Sequence, residues 1–212
     1  MIVVLLGPPG AGKGTQGERI AAALGVPKIA TGDVLRAAVR AGTKLGLEAK
    51  GFMDRGALVP DAVILGIMKE TLAEPAQAKG VILDGVVRTV PQAEGLAAMT
   101  RDLGRTVDVV LAFDIADEEL VARLSGRTTC DQDQKPFKGL EPGQPCPDGD
   151  GGTLVRRADD EPDAVRNRLR VYREQTAPVL DWYTRQGTRV AHIDAVGSVD
   201  EVTKRALEAV GA

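Results

Sequence analysis

Aromatic residues and cysteines are scarce in this sequence. Phe, Trp and Tyr make up 3% of the 212 residues, so the core must be built from Val, Leu, Ile and Ala. The chain has two cysteines and no export signal, which together predict a cytoplasmic protein, because disulfides are rare in the cytosol.

A long apolar run and an excess of positive charge are also absent. No run reaches 18 apolar residues, so no membrane-spanning helix is predicted. The apolar stretch at 2–6 lacks a basic leader and continues into a glycine-rich segment, which indicates a core strand and not a signal peptide. The formal net charge of −3 argues against general nucleic-acid binding, which needs a basic surface.

The patterning that is present alternates between helix and strand. Helical patterns lie at 13–24, 32–41, 61–73, 91–103, 117–125, 162–186 and 198–210, and β-rich runs lie at 2–6, 27–30, 81–84, 107–113 and 189–193. Five apolar strands separated by helices predict one α/β domain, with a five-stranded parallel sheet covered on both faces. Ligands bind beyond the carboxyl ends of such strands, where Gly7 and Asp84 lie.

A glycine-rich segment, GPPGAGKGTQ at 7–16, joins the first strand to the first helix. Its glycines let several backbone N–H groups face one point, and the helix adds the positive end of its dipole. Lys13 offers a charge for the β- and γ-phosphates, and Thr15 offers a hydroxyl near Mg²⁺. Gly14 departs from the general pattern, in which Ser or Thr follows the lysine. The segment predicts a nucleoside triphosphate site, and the alternative is a glycine-rich turn without a ligand.

Residues 128–152 interrupt the alternation, because they are rich in Gly, Pro, Asp and Gln and have almost no apolar periodicity. A loop of this length in a compact domain is usually a lid, a binding loop or disordered. The arginines that flank it are Arg123, Arg127, Arg156, Arg157, Arg166 and Arg168. They could form a solvated basic surface, but a lid that closes over phosphates is favoured because the chain carries a triphosphate loop.

Together these motifs resemble the adenylate kinase family in its long form, which has a full lid. The matching motifs are GPPGAGKGTQ at 7–16, TGDVLR at 31–36, DGVVRT at 84–89, Gln92, GR at 126–127, RRADD at 156–160 and RNRLRVYREQTAPVL at 166–180. The resemblance covers essentially the whole chain. It implies a P-loop NTPase-type core at 1–29, 61–123 and 163–212, a small helical AMP-binding domain at 30–60 and a lid domain at 124–162.

The resemblance implies the reaction MgATP + AMP ⇌ MgADP + ADP. The acceptor is a phosphate oxygen that is already ionised at neutral pH, so catalysis reduces to in-line positioning and stabilisation of charge. The implied catalytic residues are Lys13, Asp84, Arg88, Arg123, Arg157 and Arg168. The implied ATP-binding residues are Gly10, Ala11, Gly12, Lys13, Gly14, Thr15, Arg123 and Arg127. Asp84 would orient the water shell of Mg²⁺, with Asp33 assisting.

The implied AMP site consists of Thr31, Arg36, Leu58, Val59, Gly85, Arg88, Gln92, Arg157 and Arg168. A side-chain amide such as Gln92 can donate and accept at once, which matches the edge of adenine. The chain departs from the family at Val86 and Val87, where Phe and Pro are usual. Loss of an aromatic surface and of a proline would misplace Arg88, so a raised KM for AMP is expected.

Two pairs of Cys and Asp lie in the insertion, where many family members carry a four-cysteine zinc site. Cys130 and Asp133 keep the C-x2-C spacing, whereas Cys146 and Asp150 are one residue further apart, unless Asp148 is the ligand. Two thiolates and two carboxylates can complete a structural zinc site. A Cys130–Cys146 disulfide and two free thiols beside a hydrogen-bonded carboxylate network are the alternatives.

Several interpretations stay open at this point. Asp159 and Asp160 either cap the helix that begins near Pro162 or form salt bridges at the lid hinge, and His192 is interpreted as structural. A kinase for another nucleoside monophosphate and a non-catalytic nucleotide-binding protein are the competing functions. A monomer is expected, because no spare apolar helix face is evident.

Overall fold

A parallel sheet with helices on both faces forms the centre of the molecule. The structure, a computed structural model, describes residues 1–74, 79–149 and 151–212. In chain order its helices and strands are β1 (Ile2–Leu6), α1 (Lys13–Leu24), β2 (Lys28–Ala30), α2 (Thr31–Arg40), α3 (Lys44–Asp54), α4 (Asp61–Leu72), β3 (Val81–Asp84), α5 (Val90–Asp102), β4 (Val109–Asp114), α6 (Asp117–Ser125), β5 (Arg127–Cys130), β6 (Pro136–Lys138), β7 (Leu154–Val155), α7 (Pro162–Val171), α8 (Pro178–Arg185), β8 (Arg189–Asp194) and α9 (Val199–Val210).

The central sheet has the strand order β2-β3-β1-β4-β8, and every neighbouring pair is parallel. Side chains of β1 alternate between two cores: Val4 belongs to the cluster that includes Leu96 of α5, and Leu5 to the cluster that includes Ile20 of α1. This alternation buries β1 completely, because successive side chains of a strand point to opposite faces. The predicted fold class is confirmed. In the part of the chain that the structure describes, no helix is long and apolar enough to cross a membrane.

Two helical regions differ from the sequence prediction. The helix predicted at 32–41 is followed by a second one, α3, whose start is capped by Thr43, since its hydroxyl accepts a 3.1 Å bond from the N–H of Gly46. The helix predicted at 162–186 is divided by a π-helical turn, Tyr172–Thr176. Pro178 has no N–H to donate to the preceding turn. The N–H of Ala177 bonds to the carbonyl of Tyr172, five residues earlier, which is the spacing of a π-helix.

The insertion folds into a small antiparallel sheet with the order β6-β5-β7. Arg127 lies opposite Lys138, and Cys130 opposite Leu154. A minimal core of Cys130, Cys146 and Leu154 lies beneath it, with Phe137 and Leu140 packed against it. No strand was predicted here, because strands this short carry too few residues for an apolar pattern to appear.

Candidate active site

The glycine-rich loop at 7–12 curls between β1 and α1. Gly10 and Gly12 have φ values of 90° and 89°, a left-handed backbone that other residues rarely adopt. Gly12 is also the N-cap of α1, so the free N–H groups of the helix start open toward the loop. The ammonium of Lys13 donates to the carbonyls of Gly7 at 2.7 Å and Pro8 at 2.9 Å. The loop therefore presents a cation and backbone N–H groups together, the arrangement that binds phosphate.

Lys13 is surrounded by more positively than negatively charged side chains. Burial lowers the pKa of Lys13 to about 8, Asp84 opposes this, and the neighbouring charges of Arg88 and Arg168 lower it further. The shift means that the charged ammonium is less favoured here than in water, and that a nearby anion would stabilise it. A bound polyphosphate would supply such an anion.

A cleft of about 460 Å³ runs along this loop and gathers the predicted phosphate-binding residues. Its lining includes every predicted ATP-binding residue of the loop, from Gly10 to Thr15, and Asp84 at the end of β3. Six predicted arginines also line it: Arg36, Arg88, Arg123, Arg127, Arg157 and Arg168. Arg156 and Arg166 do not line it and instead contact Ser125 and Asp163. The convergence of six guanidinium groups on one cleft is suited to bidentate phosphate contacts.

Three of these arginines are held in unfavourable surroundings. Burial lowers the pKa of Arg88, and the charge of Arg168 lowers it further. Burial likewise lowers the pKa of Arg168 and of Arg157, and Arg36 adds to the effect on Arg157. An arginine remains charged under physiological conditions, so burial of its charge is the main cost and repulsion between neighbouring arginines adds to it. Anion binding relieves that repulsion.

Two carboxylates beside the lid hold part of the cluster in place. Asp160 accepts from Arg127 at 2.8 Å and from Arg168 at 3.1 Å, and Asp159 pairs with Arg168 at 3.0 Å. Burial raises the pKa of Asp159, but Arg168 and Arg157 bring it below its ordinary value. The structure favours the hinge salt bridges over helix capping, since both residues lie in a 3₁₀ turn, Ala158–Asp160, and no side-chain cap bond marks the start of α7.

A second, smaller cavity of about 70 Å³ contains most of the predicted AMP-binding residues. It is lined by Thr31, Arg36, Leu58, Val59, Gly85, Arg88, Gln92 and Arg168, among others. Arg157 lines only the larger cleft, where it donates to the carbonyl of Gln134 at 2.9 Å. Arg36, Arg88 and Arg168 line both cavities. The two cavities thus meet at three arginines. Lys13 lines the larger cleft but not the smaller cavity.

Comparison with known proteins agrees with this geometry. The sequence model of the adenylate kinase family matches residues 5–188. The chain belongs to this family. It is 65% identical over 211 residues to an adenylate kinase from Gemmatimonas aurantiaca, and the match covers 99% of each chain. Adenylate kinases from Methanosarcina barkeri and Lysinibacillus sphaericus are 48% and 47% identical, over 95% of this chain and 94% of each relative.

Family membership confirms the resemblance found in the motifs. Members are phosphotransferases whose reaction is ATP + AMP = 2 ADP, and this chain is an enzyme of that class. A non-catalytic protein on the same fold is accordingly disfavoured, since the loop lysine and all six arginines line the cleft.

Arg88 is held by three hydrogen bonds, each between a side chain and a backbone group, although the usual Phe and Pro before it are replaced. Its Nε donates to the carbonyl of Gly85 at 3.0 Å, and its N–H donates to Gln92 at 2.8 Å. Its carbonyl accepts from the hydroxyl of Thr176 at 2.8 Å. These bonds supply positional restraint that the sequence argument did not anticipate. The expected rise in KM for AMP stays a prediction.

Two of the carboxylates that the sequence predicted as zinc ligands, Asp133 and Asp148, are not beside the sulfur atoms. Cys130 and Cys146 form a disulfide, with Cα atoms 5.6 Å apart. Asp133 accepts from the N–H of Lys135, and Asp148 pairs with the ammonium of Lys135 at 2.7 Å. Asp150 lies outside the described residues. The carboxylate next to the sulfurs is that of Asp131, within 4.8 Å of both. A disulfide offers no thiolate, so in this state the cluster does not fit a zinc ion.

Oxygen donors beside the phosphate loop fit a magnesium ion. Asp84 and Thr15 both line the cleft next to Lys13. The Oδ2 of Asp84 lies 3.6 Å from where a side chain on Gly14 would begin, so the carboxylate faces the start of α1. Mg²⁺ prefers carboxylate, hydroxyl and phosphate oxygens. Asp33 also lines the cleft, but its carboxylate pairs with Arg36.

Sequence reasoning missed several residues of the site. Thr176 reaches Arg88 from the π-helical turn, and Phe137 and Lys138 of β6 line the larger cleft. Pro178 was the local sequence signal for the turn, and nothing in the apolar pattern indicated β6. His192, interpreted as structural, is exposed on β8 and lies 2.8 Å from Asp114, away from both cavities.

Proposed function

We propose that the protein transfers the γ-phosphoryl group of MgATP to AMP at the junction of the two cavities. The observation that carries this proposal is the shared lining, since Arg36, Arg88 and Arg168 belong to both the larger and the smaller cavity. Two phosphate chains bound from opposite sides would meet at these guanidinium groups. Repulsion between two polyanions is the main obstacle to the reaction, and the positive charges of these arginines reduce it.

In this proposal the larger cleft binds ATP. The loop residues Gly10 to Thr15 enclose the β- and γ-phosphates, with Lys13 as the mobile charge. Arg123 and Arg127 approach from the end of α6 and the start of β5, on the lid side. Arg157 and Arg168 neutralise charge on the transferring group. Support comes from the lowered pKa of Lys13 and of Arg157, which indicates a site that gains stability when an anion binds.

The smaller cavity binds AMP. Arg36 and Arg88 hold its phosphate, and Thr31, Leu58, Val59, Gly85 and Gln92 surround its ribose and adenine. Gln92 is 1% exposed, so its amide is desolvated and its hydrogen-bonding pattern can discriminate between bases. No general base is required, because the attacking phosphate oxygen is already ionised.

Magnesium accompanies ATP in this family and supplies charge neutralisation when bound. Asp84 and Thr15 are the residues that would hold it or its water shell. Their hard oxygen atoms and their position beside Lys13 support the assignment.

Further features belong to the same proposal. Residues 30–60 form the AMP-binding domain and 124–162 the lid domain, and the protein acts as a cytoplasmic monomer that binds neither nucleic acid nor membrane. In a reducing compartment the disulfide of the lid would open. The thiolates of Cys130 and Cys146, with Asp131, would then be available for a structural zinc ion, so zinc and the disulfide exclude each other.

An assay of ADP formation from ATP and each of AMP, GMP, CMP and UMP tests the proposal. AMP is expected to give the highest kcat/KM. Higher turnover with another monophosphate would assign a different nucleoside monophosphate kinase. Lys13→Met should abolish turnover while the protein stays folded, and full turnover in that variant would overturn the proposed role of the loop.

A further inference from the structure

The side-chain amide of Gln92 is held at both of its ends. Its Oε1 accepts from the backbone N–H of Arg88 at 2.8 Å, and its Nε2 donates to Oδ1 of Asp61 at 2.7 Å. Gln92 also lines the smaller cavity, whereas Asp61, the first residue of α4, does not. Asp61 thus contacts Gln92 from behind the cavity wall.

These two partners determine which way the amide points. A backbone N–H can only donate, so the atom that faces Arg88 must be oxygen. An ionised carboxylate can only accept, so the atom that faces Asp61 must be nitrogen. If the amide turned over, N–H would face N–H and oxygen would face carboxylate. Both contacts would become repulsive in a side chain that is 1% exposed.

The fixed orientation matches one purine edge and opposes another. Gln92 retains one N–H and one oxygen lone pair beyond those two bonds. Adenine offers an acceptor at N1 and a donor at N6 on its Watson–Crick edge, which this pair can satisfy. Hypoxanthine reverses both groups, with a donor at N1 and an acceptor at O6. A reversed base requires a reversed amide, and the two partners prevent that.

We infer that Asp61 determines purine specificity by locking the amide of Gln92 in the orientation that reads adenine, acting as a positioning residue. This inference rests on the proposed contact between Gln92 and the adenine of AMP. The partner at Arg88 is a backbone N–H, so replacing the Arg88 side chain does not remove it. Asp61 is therefore the partner through which a side-chain change can alter specificity.

A structural role for Asp61 makes a different prediction. Its Oδ1 also accepts from the hydroxyl of Thr89 at 3.1 Å, and Thr89 caps α5 by accepting from the N–H of Gln92 at 3.2 Å. Asp61 also places negative charge in the first turn of α4, where the helix dipole favours it. Loss of these contacts would weaken both helix starts and lower turnover of all substrates equally.

The test compares AMP with IMP, which differ only at positions 1 and 6 of the purine. In Asp61→Asn the new side chain can present either oxygen or N–H₂ to Gln92, so only the N–H of Arg88 still opposes reversal of the amide. The ratio of kcat/KM for AMP to that for IMP is expected to fall about tenfold, the order that one misdirected hydrogen bond produces. Asp61→Glu keeps an acceptor-only group and should preserve most of the ratio.

Thr89→Val is the matched control, because it removes the same link between α4 and α5 and leaves the carboxylate facing Gln92. Its ratio should equal that of the native protein. An unchanged ratio in Asp61→Asn, or an equal fall in Thr89→Val, would overturn the inference. If Asp61→Asn does not fold, Asp61→Ser decides in the same way, since a hydroxyl can also donate or accept.

Two further measurements separate this inference from the proposed function. Native protein that does not phosphorylate AMP contradicts the proposed function itself. Gln92→Ala that keeps the native ratio shows that Gln92 does not read the base, which removes the foundation of the inference while leaving the phosphoryl transfer intact.

Discussion

Asp160 accepts a 2.8 Å hydrogen bond from Nε of Arg127, and its side chain has no exposed surface. Arg127 begins β5 and Asp160 ends the 3₁₀ turn before α7, so the bond joins the chain segments that enter and leave the lid. Arg168 donates to the same carboxylate at 3.1 Å. One buried anion thus fixes two arginines of the cleft.

We expect Asp160→Ala to lower the free energy of unfolding by roughly 3 kcal/mol, because it leaves the mostly buried guanidinium of Arg127 without its carboxylate and removes one of the two carboxylates that pair with Arg168. The KM for ATP should rise as Arg127 loses its fixed orientation. Urea denaturation and steady-state kinetics measure both effects. Asp163→Ala is the control: Asp163 pairs with Arg166 on the surface, with both side chains mostly exposed, and should change stability by less than about 1 kcal/mol. Equal losses in the two variants would contradict the argument.

The parts of the molecule that could be predicted from the sequence are those whose residues carry a local pattern. The parts that could not be predicted depend on contacts between residues far apart in the chain. The five strands and the loop around Lys13 were predictable, because buried strands and glycine turns have local patterns. The smaller strands of the lid were not, since Cys130 and Leu154 pair across a long loop and carry no periodic signal. The lock on Gln92 depends on Asp61, 31 residues away, and such contacts arise only from tertiary packing.

The depressed pKa of Lys13 predicts an alkaline limit for ATP binding. Below about pH 8 the free enzyme carries the ammonium, and above that value it loses the proton. Because kcat/KM reports groups of the free enzyme, kcat/KM for MgATP should fall as the pH rises through about 8. Bound phosphates favour the charged form and raise this pKa, so kcat should stay level over the same range. A kcat/KM that is flat from pH 7 to 9.5 would contradict the prediction.

Val86 and Val87 allow a direct test of the AMP site. Both are completely buried, and they precede an arginine that is held by hydrogen bonds. We expect the double variant Val86→Phe, Val87→Pro to lower the KM for AMP, since Phe adds a packing surface and Pro restricts the backbone before Arg88. The larger side chain should also reduce stability by about 1–3 kcal/mol through overpacking. The KM for ATP serves as the internal control, and an unaltered KM for AMP would refute the expectation.

The lid should depend on the bond between Cys130 and Cys146. Among the described residues the hydrophobic core of the lid has three buried members, Cys130, Cys146 and Leu154, and the disulfide closes a loop with a sequence separation of 16. Closing a loop of that length stabilises by about 3 kcal/mol in the chain-entropy model. We therefore expect reduction, or replacement of both cysteines by Ser, to lower the melting temperature and raise the KM for ATP, because Arg127 and Arg157 are carried by the lid.

Thiol titration should find no free thiol before reduction, and metal analysis of that oxidised protein should find far less than one zinc per chain. Zinc added to the reduced native protein, but not to the double Ser variant, should restore the melting temperature if the thiolates hold the ion; a full complement of zinc in oxidised protein would exclude the disulfide.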